Sequence, residues 1–188
     1  MKLILLSTAA FAVMGMSPSS SMPTGASVIT VGGSAAESCY DSALGRDASA
    51  AAFADCNAAI TQEAIPLQDL VASYVNRGVL KLVRADYRSA EADFDQAMRL
   101  DPMQPEAWLN KGIARYQLGD PQSAAVLFGQ AIENRTRFAS LAHYGRALAY
   151  EDTGNIRGAY MDLRKAQALN PKWEAPRVEL ARFQVTRN

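Results

Sequence analysis

Histidine, cysteine and net charge are all scarce in this chain: one histidine, two cysteines, and 19 basic against 19 acidic side chains in 188 residues. One histidine, His143, cannot make a His pair or a His-based metal cluster. Cys39 and Cys56 lie too far apart for a C-x-x-C redox motif, and they lack neighbouring histidines to complete a tetrahedral metal shell. Balanced charge removes the bulk attraction that draws proteins to nucleic acid or to anionic membranes. A Gly-rich phosphate loop, G-x-S-x-G and H-E-x-x-H are all missing from the sequence, and with them the commonest catalytic frameworks. The expectation is no catalytic residue, no metal and no cofactor, hence not an enzyme. The longest apolar run, Leu3 to Met16, is broken by Ser7, Thr8 and Gly15 and falls short of the ~20 residues that span a bilayer.

That run follows Met1-Lys2 and leads into the Pro/Ser-rich stretch Ser17 to Thr24. Positive charge, short apolar core and small residues in that order describe a secretory signal peptide. Residues 1–26 are expected to be removed after Thr24-Gly25-Ala26. Cleavage would take Lys2 and no acid, leaving 18 basic and 19 acidic groups from the 19 and 19 of the whole chain. Cys39 lies far past the apolar run behind Ala36-Glu37-Ser38, which suits lipid attachment badly. The product is expected to be periplasmic or secreted, soluble, not a lipoprotein and not inserted in the membrane.

The rest of the chain repeats. Gly78 and Gly112 are 34 residues apart, and so are Tyr74 and Trp108, Asn76 and Asn110, Ala90 and Ala124, Phe94 and Phe128, and Ala97 and Ala131. One further residue brings a third copy into register, with His143, Ala147, Gly154, Ala159, Leu163 and Ala166 in the corresponding places. Small residues at 78, 112 and 147 and at 90, 124 and 159 mark where two helices cross closely. Phe94, Phe128 and Leu163 pack from the second helix of each pair. Asp86, Asp120 and Asn155 are expected N-caps, with Pro121 at the first helical position and Gly119 and Gly154 closing the preceding helices in a left-handed conformation. Arg77, Lys111 and Arg146 recur with the repeat, and Asp93 and Asp162 are their expected partners.

The pattern, with Tyr74-Val75-Asn76-Arg77-Gly78 and Ala92-Asp93-Phe94-Asp95-Gln96-Ala97 its most distinctive stretches, resembles the tetratricopeptide repeat family and, within it, exported bacterial members. The resemblance implies an all-α fold, a right-handed superhelical solenoid of helix-turn-helix repeats with capping helices. Beyond the signal peptide the chain divides into an extended arm (27–37), a degenerate N-terminal hairpin (38–70), repeats at 71–104, 105–139 and 140–173, and a C-terminal capping helix (174–188). That last helix is read over Trp173 to Val185, with Val178, Ala181 and Val185, and Leu180 and Phe183 nearby, as its apolar stripe. In the degenerate hairpin Ala52, Cys56 and Ala59 keep the spacing of Ala90, Phe94 and Ala97. Its register sets Cys39 facing Cys56, so a disulfide is expected in an oxidising compartment.

What the resemblance implies about function is protein binding. First helices line the concave face of the family's solenoid, so the groove is expected to present Val75, Asn76, Val79, Leu109, Asn110, Ile113, Tyr116, Tyr144 and Leu148. Asparagine amides can donate to and accept from a peptide backbone. The family's carboxylate clamp is not implied, because Val75, Val79, Leu141 and Gly145 occupy the places of its other residues. The expectation is a periplasmic adaptor or scaffold whose groove holds an apolar peptide or helix of an envelope protein. The alternative is a self-associating structural protein of the cell envelope, a weak homo-oligomer whose terminal helix or Val28 to Val31 arm packs on another copy.

Overall fold

A computed structural model of the protein describes residues 34–61 and 64–183; the expected signal peptide and most of the arm lie outside them. Among the described residues the chain forms nine α-helices and no strand: α1 (Ala35–Gly45), α2 (Ala50–Thr61), α3 (Leu67–Val83), α4 (Tyr87–Leu100), α5 (Pro105–Gln117), α6 (Pro121–Glu133), α7 (Ala139–Asp152), α8 (Ile156–Leu169) and α9 (Glu174–Leu180). Consecutive pairs pack as hairpins, each second helix also leans on the next first helix, and α3, α5 and α7 touch side by side. The result is an all-α helical solenoid.

The close crossings fall at the repeat glycines. A Cβ on Gly78 would come 2.4 Å from the ring of Phe94, and one on Gly112 would sit 2.9 Å from Phe128. Both rings are fully buried. In the third hairpin Ala147 stands at the crossing and Leu163 replaces the ring, so the smaller side chain opens room for one methyl group. Gly145 adds a contact that the repeat pattern does not announce: its Cβ would come 2.6 Å from the far end of Phe128. One ring thus packs against two successive first helices.

The turns follow the sequence closely. Asp86, Asp120 and Asn155 accept from the backbone N–H three residues on, which satisfies a helix-end donor that would otherwise lack a partner. Gly119 and Gly154 take φ of 81° and 82°, and Ala85 holds the equivalent place at 58° despite its side chain. Where the second repeat lacks a proline, Arg135 makes the left-handed turn at φ 59°. Buried Thr136 then accepts from the Phe138 N–H at 3.2 Å and donates to Glu106 at 3.4 Å. That turn absorbs the extra residue and aims the start of α7.

Ion pairs tie the first and third repeats. Arg77 grips Asp93 through two bonds of 3.0 and 2.7 Å, and Lys81 adds a third contact at 2.7 Å. Arg146 holds Asp162 in the same way, at 2.7 and 2.9 Å. The middle repeat differs, because Leu127 stands where an acid would be needed, and Lys111 reaches back to Asp95 of α4 at 2.5 Å. His143, read from the sequence as a packing residue, is buried and also donates from Nδ1 to Asp162 at 2.7 Å. Burial alone would raise the Asp162 pKa, but the bonds from His143 and Arg146 outweigh it and hold the carboxyl below its ordinary value. A depressed folded-state pKa gives stability that is present above the unfolded pKa of about 3.9 and lost as pH falls through the folded one. In urea titrations between neutral pH and pH 2, the stability gap between the native chain and Asp162→Asn should therefore narrow with acid; a gap constant across that range would refute the assignment.

Two expectations at the ends need correction. The arm does not run to residue 37: Ser34 accepts from the Glu37 N–H at 3.1 Å and α1 begins at Ala35. Ser34-Ala35-Ala36-Glu37 carries the S-x-x-E capping pattern that would have marked this start. The last helix is short, and Val178 and Ala181 face outward. Its buried side is Pro176 with Ala175, together with Leu180 and Phe183, which pack toward the core as expected. Trp173 on Tyr144 (centroids 4.8 Å apart) and Phe183 beside Tyr160 (5.8 Å) fix that face, and no second helix follows among the described residues to cross at Ala181.

Candidate functional site

The concave side of the stack opens into a cleft of about 550 Å³. Its floor comes from α3 and α5: Val75, Asn76 and Val79 from the first, Glu106, Leu109 and Asn110 from the second. One wall is α1, through Tyr40, Ala43 and Leu44, with Arg46 at its end. The opposite wall begins at Arg137 and runs through Phe138 to Leu141 at the start of α7, and the far end is closed by Leu169, Asn170 and Trp173.

Much of this lining is apolar and lacks cover. Tyr40 is 39% exposed, Leu44 56% and Leu169 46%, whereas large side chains at such spacing usually meet a neighbour. Polar groups are few and set among them: the amides of Asn76, Asn110 and Asn170, the Glu106 carboxylate and the two arginines. Arg137 stacks over Phe138 at 4.9 Å and stands 3.8 Å from Glu106, a long pair that leaves the guanidinium at the rim. An uncovered apolar trough with spaced amides suits an extended polypeptide, whose side chains seek apolar surface and whose peptide groups need hydrogen-bond partners.

The wall that α1 provides is held by covalent and polar ties. Cys39 and Cys56 are disulfide-bonded and fully buried, joining α1 to α2, and the Cys39 sulfur lies 3.9 Å from the Ser73 carbonyl of α3. Arg77 donates to Asn57 of α2 at 2.6 Å. Arg84 donates to the Ala48 carbonyl at 2.8 Å and lies over Phe53 at 4.4 Å.

Of the nine groove residues expected from the sequence, Val75, Asn76, Val79, Leu109 and Asn110 line the cleft together. Ile113, Tyr116, Tyr144 and Leu148 do not. Ile113 was expected to be partly exposed, but it is 4% exposed and packs with Leu82, Phe94, Leu109 and Phe128. Tyr144 and Leu148 are buried where α9 and Trp173 pack against that end of the stack, and Tyr116 packs beside them. Burial, with help from Glu179, pushes the Tyr144 hydroxyl up to about 12. Burial and a hydrogen bond to Asp152 raise that of Tyr116 as well. Ile113 belongs to the central core, and the other three to the contacts that cap this end of the stack. The ladder of asparagines at 76 and 110 also stops at Gly145, since the Phe128 ring fills the space that a side chain there would need.

What sequence reasoning missed is the α1 wall and the α8–α9 end. Ser34-x-x-Glu37 was the available signal for the former; Leu169, Asn170 and Trp173 lie at and around the repeat-closing Asn170-Pro171 and carried none. Among the described residues, no group of three or more His, Cys, Asp or Glu could hold a metal ion, and no helix is long and apolar enough to cross a membrane.

The tetratricopeptide repeat model matches residues 75–135 and again 112–172, together just over half of the chain. The human protein Tetratricopeptide repeat protein 13 is 34% identical over 76 residues, which is 40% of this chain and 9% of that protein. The chain therefore spans only a small part of the length of that relative. Spacing, helix pairing, close crossings and family match agree: the chain belongs to the tetratricopeptide repeat family and is a protein–protein interaction module.

Proposed function

We propose that the cleft binds an extended, mainly apolar segment of a protein of the cell envelope, and that the chain works in the periplasm as an adaptor after export. The observation that carries the reading is the uncovered trough of Tyr40, Leu44 and Leu169 around Asn76 and Asn110. Export rests on the N-terminal sequence pattern, and a disulfide suits an oxidising compartment. The apolar residues would take the ligand's side chains, and the two amides would pair with its backbone.

Crosslinking capture from an envelope fraction tests this. Leu44→Asp places a carboxylate where a dry contact is needed, yet Leu44 is 56% exposed in the free protein, so folding should survive while capture falls at least ~10-fold. Asn110→Ala should cost about 1–3 kcal/mol of binding by leaving a ligand backbone group unpaired. Val126→Asp, on the exposed side of α6, should change nothing. Normal capture by folded Leu44→Asp would move the binding site off this cleft.

A further inference from the structure

We infer that the chain associates head to tail with a second copy of itself, the acidic outer face of α1 in one copy docking on the basic outer face of α8 in the next.

A chain without net charge need not be neutral everywhere. Residues 34–61 carry four acids, Glu37, Asp41, Asp47 and Asp55, against one base, Arg46. Residues 156–183 carry six bases against three acids. The first segment begins the stack and the second ends it, so surpluses of opposite sign and equal size stand at its two ends. The α-ammonium that cleavage after Ala26 would leave at Ser27 takes one charge from the acidic surplus and does not reverse it.

The basic surplus is not used within the fold. Arg77, Lys81, Lys111, Arg115 and Arg146 all pair with acids. Among the described residues the side chains of Arg157, Lys165 and Lys172 have no such partner. Arg157, Met161, Arg164 and Lys165 recur at helical spacing and all are exposed, so they form one face, with an apolar side chain set among the cations. α8 packs on α7 and α9, and α1 on α2 and α3; the acidic and basic faces do not meet within one chain.

The spacing of the two faces agrees. On α1, Glu37, Asp41 and Leu44 are exposed and share a face. With the helices antiparallel, Leu44 over Met161 brings Asp41 level with Arg164, because three residues rise ~4.5 Å in each helix. Lys165 flanks the same carboxylate, and Glu37 falls opposite the small, exposed Ala168. An anionic lipid surface or an acidic peptide would answer the α8 face alone and leave the acids of α1 unmatched. A second copy answers both, and since every copy presents one face of each kind, the contact repeats from copy to copy.

Sedimentation velocity of the purified chain tests this. Species at least ~2-fold heavier than the monomer should form at ~0.01 M salt, where charges act over ~30 Å, and monomer alone should remain at ~1 M salt, where they act over ~3 Å. Arg164→Glu with Lys165→Glu, and separately Glu37→Gln with Asp41→Lys, should each give monomer at low salt with an unchanged helical signal in circular dichroism. Mixed in equal amounts, the two variants should associate again, since each then carries the charge that the other lacks. A native chain that is monomeric at low salt overturns the inference. So does association that ignores salt or survives both pairs of substitutions, and so does a mixture that stays monomeric. Binding of a monomeric native chain to anionic phospholipid vesicles, lost on Arg164→Glu with Lys165→Glu, would also overturn it and assign the α8 face to a lipid surface. The cleft reading stands or falls separately: capture by Leu44→Asp decides it, and none of the four residues changed here lines the cleft.

Discussion

Gly78→Ala should destabilise the protein by about 3 kcal/mol even though alanine is the better helix former by roughly 1 kcal/mol. The added methyl group would come 2.4 Å from the edge of the Phe94 ring, and the ring is fully buried. Overpacking of this kind costs about 1–3 kcal/mol when the surroundings yield, and here backbone must yield with the ring. The third hairpin shows how the conflict is resolved, since Ala147 is accommodated opposite Leu163. Gly78→Ala combined with Phe94→Leu should therefore recover most of the loss and prove more stable than Gly78→Ala alone. Urea denaturation of the two single variants and the double variant provides the cycle. Simple additivity would mean that glycine is needed for some reason other than the ring.

Replacing Cys39 and Cys56 together by alanine should lower stability by about 3 kcal/mol, the loop-closure term for a separation of 17 residues. A functional loss should accompany it. The hairpin of α1 and α2 has only a small apolar core, formed by Cys39, Ala43, Ala52, Cys56 and Leu80, and the two sulfurs are its bulk. Without the bond, α1 keeps its packing on α3 but loses its covalent tie to α2, so the wall bearing Tyr40 and Leu44 loosens. Partner capture should drop together with the helical signal of one hairpin, while the three full repeats keep their fold. A variant that unfolds at the native urea concentration and captures normally would show that the bond is dispensable.

The repeat itself was legible because its signals are local and periodic. Gly112, Phe128 and the cap Asp120 have counterparts in each copy, and the geometry depends largely on neighbours within one hairpin. The cleft was half legible. Val75, Asn76, Leu109 and Asn110 stand on first helices and face inward as the register implies. Ile113 sits on the same helix face, one turn on, yet it is buried. Which positions stay open depends on how neighbouring helices and α9 close over them, and that is set by contacts between distant segments. Leu169 and Trp173 reach the cleft for the same reason. Tyr40 and Leu44 belong to a hairpin whose register was inferred from Ala52, Cys56 and Ala59, and this set Cys39 facing Cys56 but did not show the exposed face of α1.

Phe128, caught between Gly112 and Gly145, bears on how such a chain can grow. Repeat proteins lengthen when a stretch of gene is copied in tandem, and the natural stretch here is residues 105–139. A copy inserted after the original would set Asn110 where Gly145 now stands, against the outer end of the ring. The duplicate would fit only if that asparagine became glycine, or if the ring moved aside. Each hairpin is written separately in the sequence, but this pair can be inherited only together.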